Sequence, residues 1–371
     1  MPGTIRHTPF DHADRVARVH SWLAASSHDA LLVTDLVDVR WLTGFGGSNG
    51  WVVVTADDLV LGTDGRYEER AVAETASSGA TIVAERQRAA LHQRLLGAVG
   101  SATSVALDPA GVSYGEWQTF QADLPVEAVP SVVTRLRSVK DAAEIERMAA
   151  AAACADAALA EVEPLLFSAA SGVAVSEADI RNELEYRMRL HGADDRSYET
   201  IVASGPDHAA RPHHEVSRRR IVAGDTVIID VGALVDGYHS DMTRSYVIGE
   251  PTDEQRETYA LVEASHAAGV AALRSGVTAR ELDTACRDVF DEAGRLGEYL
   301  HGTGHGVGLQ IHEVPFHSQV SDEVIEVGNV VTVEPGLYRV GFGGFRIEDL
   351  LVVTESGSRP LTHTVPRPFP G

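Results

Sequence analysis

Gly224-Asp-Thr-Val-Ile-Ile-Asp-Val-Gly232 recurs further along the chain as Gly328-Asn-Val-Val-Thr-Val-Glu-Pro-Gly336. Ser171-Gly-Val173 recurs as Ser275-Gly-Val277 at the same offset of 104 residues (171 to 275 and 224 to 328). Each copy reads as a helix after the SGV turn, followed by a β-strand that ends on a carboxylate. One repeated tripeptide means little. Two blocks at one offset, with an acid at the same place in both, point to a domain of two related halves. Two copies are too few for a solenoid. The packing this predicts brings Asp230 and Glu334 together near a pseudo-two-fold axis. The competing reading is chance similarity between two helix–strand units.

Working outward, Val227 to Asp230 is apolar up to its acid, residues 232–237 turn, and His239 to Ile248 returns. This predicts a hairpin with Asp230 and Asp241 on neighbouring strands. In the second copy Val330 to Glu334 rises as a strand. Gly341, Gly343 and Gly344 bend the chain, and Phe345 to Val353 returns carrying Glu348. An acid embedded in an apolar strand is costly unless something pairs with it. Each of these acids alone is more often a strand-end acid or an ion-pair partner. Four in symmetric hairpins are harder to dismiss, because the nearby cation in these strands is Arg346, with Arg244 less central. Converging, they would carry a charge of about −4, which one divalent ion leaves uncompensated and two nearly neutralise. Oxygen ligation suits manganese or magnesium. One imidazole would shift the preference towards manganese, iron, cobalt or zinc.

That imidazole is sought in His301-Gly-Thr-Gly-His305-Gly-Val-Gly308. The histidines are four apart, as in helical zinc sites. The glycines between and after them disfavour a helix and predict a loop whose backbone can crowd a bound group. Only one of the two need be a ligand. His312 in GLQIHEV, and His213 with His214 in RPHHE, complete a histidine-rich set.

With 371 residues, a prior of about 150 per domain suggests two or three domains. The composition changes near Thr134, so domains are expected at 1–134 and 135–371. In the first, helices are expected at Arg15–Ala25, Tyr67–Ala76 and Ala89–Val99. Strands are expected at Ala30–Thr34, Val39–Thr43, Trp51–Thr55, Leu59–Gly62, Ala80–Ala84 and Val105–Leu107. That alternation implies an α/β domain with a mixed or parallel sheet. A long Ala-rich helix is expected over Ala142–Pro164. Hydrophobic residues make up 44% and charged residues 23%, enough apolar mass for a sizeable core. The net charge of −23 argues against nucleic-acid and anionic-membrane partners, which need a positive field. Cys154 and Cys286 cannot make a disulfide framework, so a reducing compartment is expected. No apolar run approaches the roughly 20 residues of a membrane span. Residues 1–14 lack an apolar core, so no secretory leader is expected.

Two motifs compete for attention. Gly46-Gly-Ser48-Asn-Gly50 matches the G-x-S-x-G nucleophile elbow, but that elbow needs a following helix, and WVVVT (51–55) reads as a strand. The same objection removes a dinucleotide loop. The Arg218–Arg220 run reads as a solvated turn before a strand.

Taken together, IIDVGA with HSDMTRSY, HGTGHGVGLQIHE, VTVEPGLY and FRIED resemble the pita-bread metallopeptidases, specifically the Xaa-Pro peptidases (prolidases and aminopeptidases P). WLTGF and TDGRY resemble the creatinase-type amino-terminal domain that precedes the catalytic domain in these enzymes. The resemblance implies an α/β amino-terminal domain and an α+β pita-bread catalytic domain with an internal pseudo-two-fold repeat. It implies two divalent ions, manganese first, with cobalt, iron or zinc as alternatives. Asp230 and Asp241 would hold one ion, Asp241, His305 and Glu348 the other, and Glu334 would join the bridge and act as the proton carrier. His213 and His312 would serve the substrate, although a loop one residue longer than usual leaves His213 and His214 as alternatives. His301, Tyr338 and Arg346 match places that surround the ligands or position substrate. The implied enzyme is a cytoplasmic homodimer acting on short proline-containing peptides, with neither nucleic acid nor membrane as partner. Filled ligand positions speak against the metal-free creatinase branch, and the large preceding domain against methionine aminopeptidases. Other readings are a small-molecule C–N hydrolase or lyase on the same scaffold, and a non-enzymatic acidic binding module.

Overall fold

Strands whose residues are all apolar need cover on both faces, and ALLV at Ala30–Val33 is buried throughout. The computed structural model describes residues 7–369. It divides into Thr8–Arg137 and a larger unit from Ser138 onward.

The first unit runs α1 (His12–Ala25), β1 (Ala30–Val33), α2 (Leu36–Thr43), β2 (Gly50–Thr55), β3 (Leu59–Asp64), α3 (Glu68–Glu74), β4 (Thr81–Glu85), α4 (Arg88–Val99), β5 (Val105–Leu107), α5 (Tyr114–Asp123), β6 (Val126–Ala128) and α6 (Val132–Ser138). Its six strands form one mixed sheet in the order β4-β3-β2-β1-β5-β6. β1 pairs antiparallel with β2 and parallel with β5.

The strand expected at Val39–Thr43 is instead part of helix α2. Asp35 caps it, accepting from the Val37 and Asp38 amides at 2.8 and 3.1 Å, and Gly44 ends it at φ +84°. Those two caps outweigh the strand preference of Val39, Trp41 and Thr43. Asp38 then forms a buried ion pair with Arg137 at 2.8 Å. Helix α5 and strand β6 fall where no element was expected. Ser113 and Glu116 form a capping box that starts α5.

The larger unit runs α7 (Ala142–Ser168), α8 (Glu177–Leu190), β7 (Asp195–Arg196), β8 (Ile201–Ser204), α9 (Gly205–His208), β9 (Thr226–Asp230), β10 (Ala233–Val235), β11 (Tyr238–His239), β12 (Thr243–Val247), α10 (Asp253–Ala272) and α11 (Ala279–Glu292). It continues with β13 (Gly304–Gly306), β14 (Glu313–His317), β15 (Val330–Val333), β16 (Gly336–Arg339), β17 (Gly343–Arg346), β18 (Asp349–Thr354) and β19 (Gly357–Pro360). Helix α7 runs through Pro164 to Ser168, further than expected. Its buried stripe of Ala151, Cys154, Ala155, Ala158, Leu159, Val162 and Leu166 holds it against the core across the hydrogen bond that proline cannot donate.

The repeat is structural. Both SGV turns lead into helices with capping boxes, Ser176 with Asp179 on α8 and Thr278 with Glu281 on α11. α7 packs on α8, and α10 on α11. β9 pairs antiparallel with β12, and β15 with β18. The two halves meet where Thr243 and Glu348 form an isolated antiparallel bridge.

Two details of the expected hairpins change. Asp241 is not on a strand: β10 and β11 intervene after β9, and Asp241 sits in the step from β11 to β12. Nor is Phe345–Val353 one strand. β17 ends at Arg346 and β18 begins at Asp349, so Glu348 lies at the break.

Candidate metal centre

Asp230 ends β9, directly opposite Thr243 of β12. Glu334 follows the last residue of β15, and Glu348 precedes the first of β18. Asp241 enters from the β11–β12 step and His305 from β13. Ligand atoms of Asp241, His305 and Glu348 all lie within 4.8 Å of one another. His305 Nε2 stands 3.6 Å from Asp241 Oδ2 and 3.5 Å from Glu334 Oε1. Asp230, Asp241, Glu334 and Glu348 share one cavity of about 600 Å³ with His213, His301, His305, His312 and Arg346. The expected convergence is therefore present.

Its charge is badly compensated. Arg346 is buried and gives Asp230 Oδ2 a 2.6 Å contact. Burial, then Asp230 and Glu334, push Asp241 well above the usual carboxylate range. Burial, then Asp241, Glu334 and Asp230, do the same to Glu348. Burial lifts Glu334 to about 7, against the pull of Arg346. Carboxylates forced to retain protons in this way mark a place that a cation would relieve.

Hydrogen bonding prepares the imidazole. His305 Nδ1 lies 3.0 Å from the Gly306 carbonyl, so Nδ1 carries the hydrogen and Nε2 keeps its lone pair towards the carboxylates. Burial holds His305 down at about 4, so the ring is neutral. A lone pair facing carboxylate oxygens at 3.5–3.6 Å needs a cation or a proton between them. Four carboxylates and one imidazole are a donor set suited to divalent metal.

The surrounding residues form a connected network. The Tyr198 hydroxyl contacts both Asp230 Oδ1 and Asp241 Oδ1, the latter at 2.5 Å. One hydroxyl proton cannot serve both acids. Thr243 donates to Glu348 Oε2 at 2.6 Å. Arg346 also donates to the Tyr338 hydroxyl at 2.9 Å, the Pro212 carbonyl at 3.0 Å and Thr243 Oγ1 at 3.0 Å. Tyr338 in turn meets His301 Nε2 at 2.9 Å. His312 stands edge-on to His305, centroids 4.4 Å apart.

His213 lines the cavity, whereas His214 stacks on His208 at 3.8 Å. Glu177, His208 and His214 make a second group with metal-ligand atoms within 4.8 Å. Its carboxylate already takes five contacts, from the amides and hydroxyls of Ser204 and Ser217 and from His208 Nδ1.

Tyr198 and His317 are among the cavity-lining residues that the sequence did not single out. His317 is 1% exposed, and neither ring nitrogen has a hydrogen-bond partner among the described residues. The Thr332 carbonyl lies close by but outside hydrogen-bonding geometry.

The competing motifs resolve differently. No helix follows Ser48, because β2 starts at Gly50, and its hydroxyl pairs with Tyr67 at 2.7 Å. Arg219 is not simply solvated: it pairs with Asp225 at 2.6 and 2.9 Å. The first unit holds a larger cavity, about 1220 Å³, but its acids are taken: Asp64 by Arg66, Glu85 by Arg94 and Glu116 by Ser113.

With this geometry in view, the comparisons with known proteins are specific. Residues 146–355 match the model of metallopeptidase family M24, and residues 15–139 match the creatinase/prolidase N-terminal domain. The chain belongs to metallopeptidase family M24. It is 33% identical to the Xaa-Pro dipeptidase of Pyrococcus furiosus over 363 residues, 95% of this chain and 98% of that one. Among solved structures it is similar to the Xaa-Pro dipeptidase from Bacillus anthracis, at 33% identity with TM-score 0.90, covering 96% of this chain and 99% of that one. It is also similar to the X-Pro aminopeptidase from Thermotoga maritima, at 30% identity with TM-score 0.83, covering 95% and 98%. Membership in M24, together with the intact group of Asp241, His305 and Glu348, implies divalent metal ions. The architecture, a creatinase-type domain followed by a pita-bread domain, agrees with what the motifs implied. Among the described residues no helix is long and apolar enough to cross a membrane.

Proposed function

We propose that this M24 metallopeptidase hydrolyses the bond between an amino-terminal residue and proline in short peptides, using two divalent ions, manganese first. The observation that carries the reading is the convergence of Asp230, Asp241, Glu334 and Glu348 on His305, with Arg346 as their buried cation. Asp230 and Asp241 would hold one ion and Asp241, His305 and Glu348 the other, with Glu334 between them. When bound, the metal pair supplies Lewis acidity that makes water a nucleophile near neutral pH.

The rest is the work of side chains. Glu334, in the cavity among the other acids, would take a proton from the attacking water and pass it to the departing prolyl nitrogen. Like any amide nitrogen it leaves as an amine only when protonated, and, belonging to a tertiary amide, it offers no N–H for a protease to grip. His312, beside His305 in the cavity wall, would donate to the oxygen that gains charge. His213 would orient the substrate from the opposite loop. His301, Tyr338 and Arg346 would keep Asp230 and the Pro212 carbonyl in place through the contacts described above.

The same resemblance implies a cytoplasmic homodimer; sedimentation of the purified chain tests the dimer. The function itself is tested by metal analysis together with a panel of Xaa-Pro dipeptides and Xaa-Pro-Yaa tripeptides. About two transition ions per chain and metal-dependent release of the amino-terminal residue are expected. Turnover of the panel by chelator-treated protein, or none by the metal-loaded form, would refute it.

A further inference from the structure

His213 has no strand or helix of its own to hold it. It lies in the irregular stretch after α9, within a loop that leaves the sheet at Ser204 and comes back past Ser217. We infer that Glu177, which lies outside the cavity, is a positioning residue for His213, clamping both ends of that loop on one buried carboxylate. The inference rests on the assignment of His213 to the substrate.

The clamp is explicit. Glu177 Oε1 accepts from the Ser204 amide at 2.9 Å and the Ser204 hydroxyl at 2.7 Å. Glu177 Oε2 accepts from the Ser217 amide at 3.1 Å and the Ser217 hydroxyl at 2.6 Å. His208, inside the loop, adds its Nδ1 to Oε1 at 2.8 Å. Glu177 is fully buried at the first position of α8, so the anchor moves only if the helix does. Between the two serines the loop offers the Pro212 carbonyl to Arg346 and His213 to the cavity. Burial alone would raise the Glu177 carboxyl. The donors from Ser217, His208 and Ser204 outweigh it and hold the group below its ordinary value, so it stays charged. A glutamine there keeps the shape but turns an N–H₂ towards donors, which unfastens one end.

The test is a double-mutant cycle on the metal-loaded, full-length protein with an Xaa-Pro dipeptide. Glu177→Gln should lower kcat about 10- to 100-fold, the scale of a misplaced orienting group, with metal content unchanged. In a His213→Ala background the same change should cost less than about threefold, because the group it positions is gone. Should Glu177→Gln not fold, Ser217→Ala enters the cycle in its place and should show the same non-additivity with a smaller loss. Equal losses in both backgrounds, or none in either, would overturn the clamp while leaving the peptidase reading standing. A metal-loaded wild type inactive on every Xaa-Pro peptide would overturn the peptidase reading and the clamp with it.

Discussion

Thr243 and Glu348 stand 105 residues apart and meet as an antiparallel bridge, with the threonine hydroxyl donating to Glu348 Oε2 at 2.6 Å. Thr243 is also the residue directly opposite Asp230 on β9, and its hydroxyl accepts from Arg346 Nε at 3.0 Å. One side chain thus ties an acid of the second half to the strand pair of the first. Thr243→Val keeps the shape and removes the hydroxyl. The expected result is metal affinity weakened about 10- to 100-fold, the usual effect of losing a group that orients a ligand. Metal titration by calorimetry checks it, and an unchanged affinity would show that the bridge alone sets Glu348.

Asp241→Asn separates the two roles of the acidic cluster. In wild type, burial and the neighbouring Asp230 and Glu334 push Asp241 well above its normal range. Its charge therefore destabilises the metal-free fold and is needed for the metal-bound one. The variant should lose metal-dependent activity altogether, yet in the presence of chelator at pH 8 it should melt at a higher temperature than wild type. Paired melts and metal analysis decide this. Retained turnover with full metal content would remove Asp241 from the ligand set.

His317 gives a pH signature. Burial holds it down to about 3 from an ordinary 6.5, and His305 acts in the same direction. Between those values the unfolded chain takes up a proton that the folded chain refuses. Folded-state stability contributed above pH 6.5 is therefore lost as the pH falls through that window. His317→Leu removes both this titration and two unpartnered ring nitrogens. It should stabilise the fold by about 1–3 kcal/mol near neutrality and by more at pH 5. Urea melts at the two pH values test the widening gap, and a gap that stays constant would rule out the buried neutral ring.

How far the sequence carried the site depended on what kind of signal each residue left. Asp230 and Glu334 were legible because duplication repeats an acid at one place after an apolar strand. Asp241 and Glu348 were identified although neither lies on a strand, since an acid among apolar neighbours stands out whether or not the chain is extended there. His305 required the resemblance to separate it from His301; in the structure the Gly306 carbonyl fixes its tautomer, which no spacing reveals. Tyr198 left no trace, being one tyrosine between two short strands, brought to the acids only by the pairing of β8 with β9. Val39–Thr43 reads as a strand because a stretch as short as VRWLT suits either period, and the deciding Asp35 and Gly44 lie just outside it.

Gly304 offers the sharpest steric test of how β13 delivers His305. A Cβ at Gly304 would lie 2.2 Å from the Thr332 carbonyl oxygen and 2.6 Å from Thr332 Oγ1. Thr332 belongs to β15, the strand that leads into Glu334, and its hydroxyl also receives the His305 amide at 3.1 Å. Backbone cannot yield as a flexible side chain would, so Gly304→Ala must push β13 away from β15 and carry His305 with it. The imidazole and Glu334 would then no longer face each other at 3.5 Å. A displacement on the order of 1 Å costs about 10²-fold in rate. We expect Gly304→Ala to fold, to bind one metal equivalent fewer than wild type, and to lose activity by that factor or more. Added metal should restore little, because the defect is placement and not affinity alone. Full activity in Gly304→Ala would show that β13 can shift without moving its histidine.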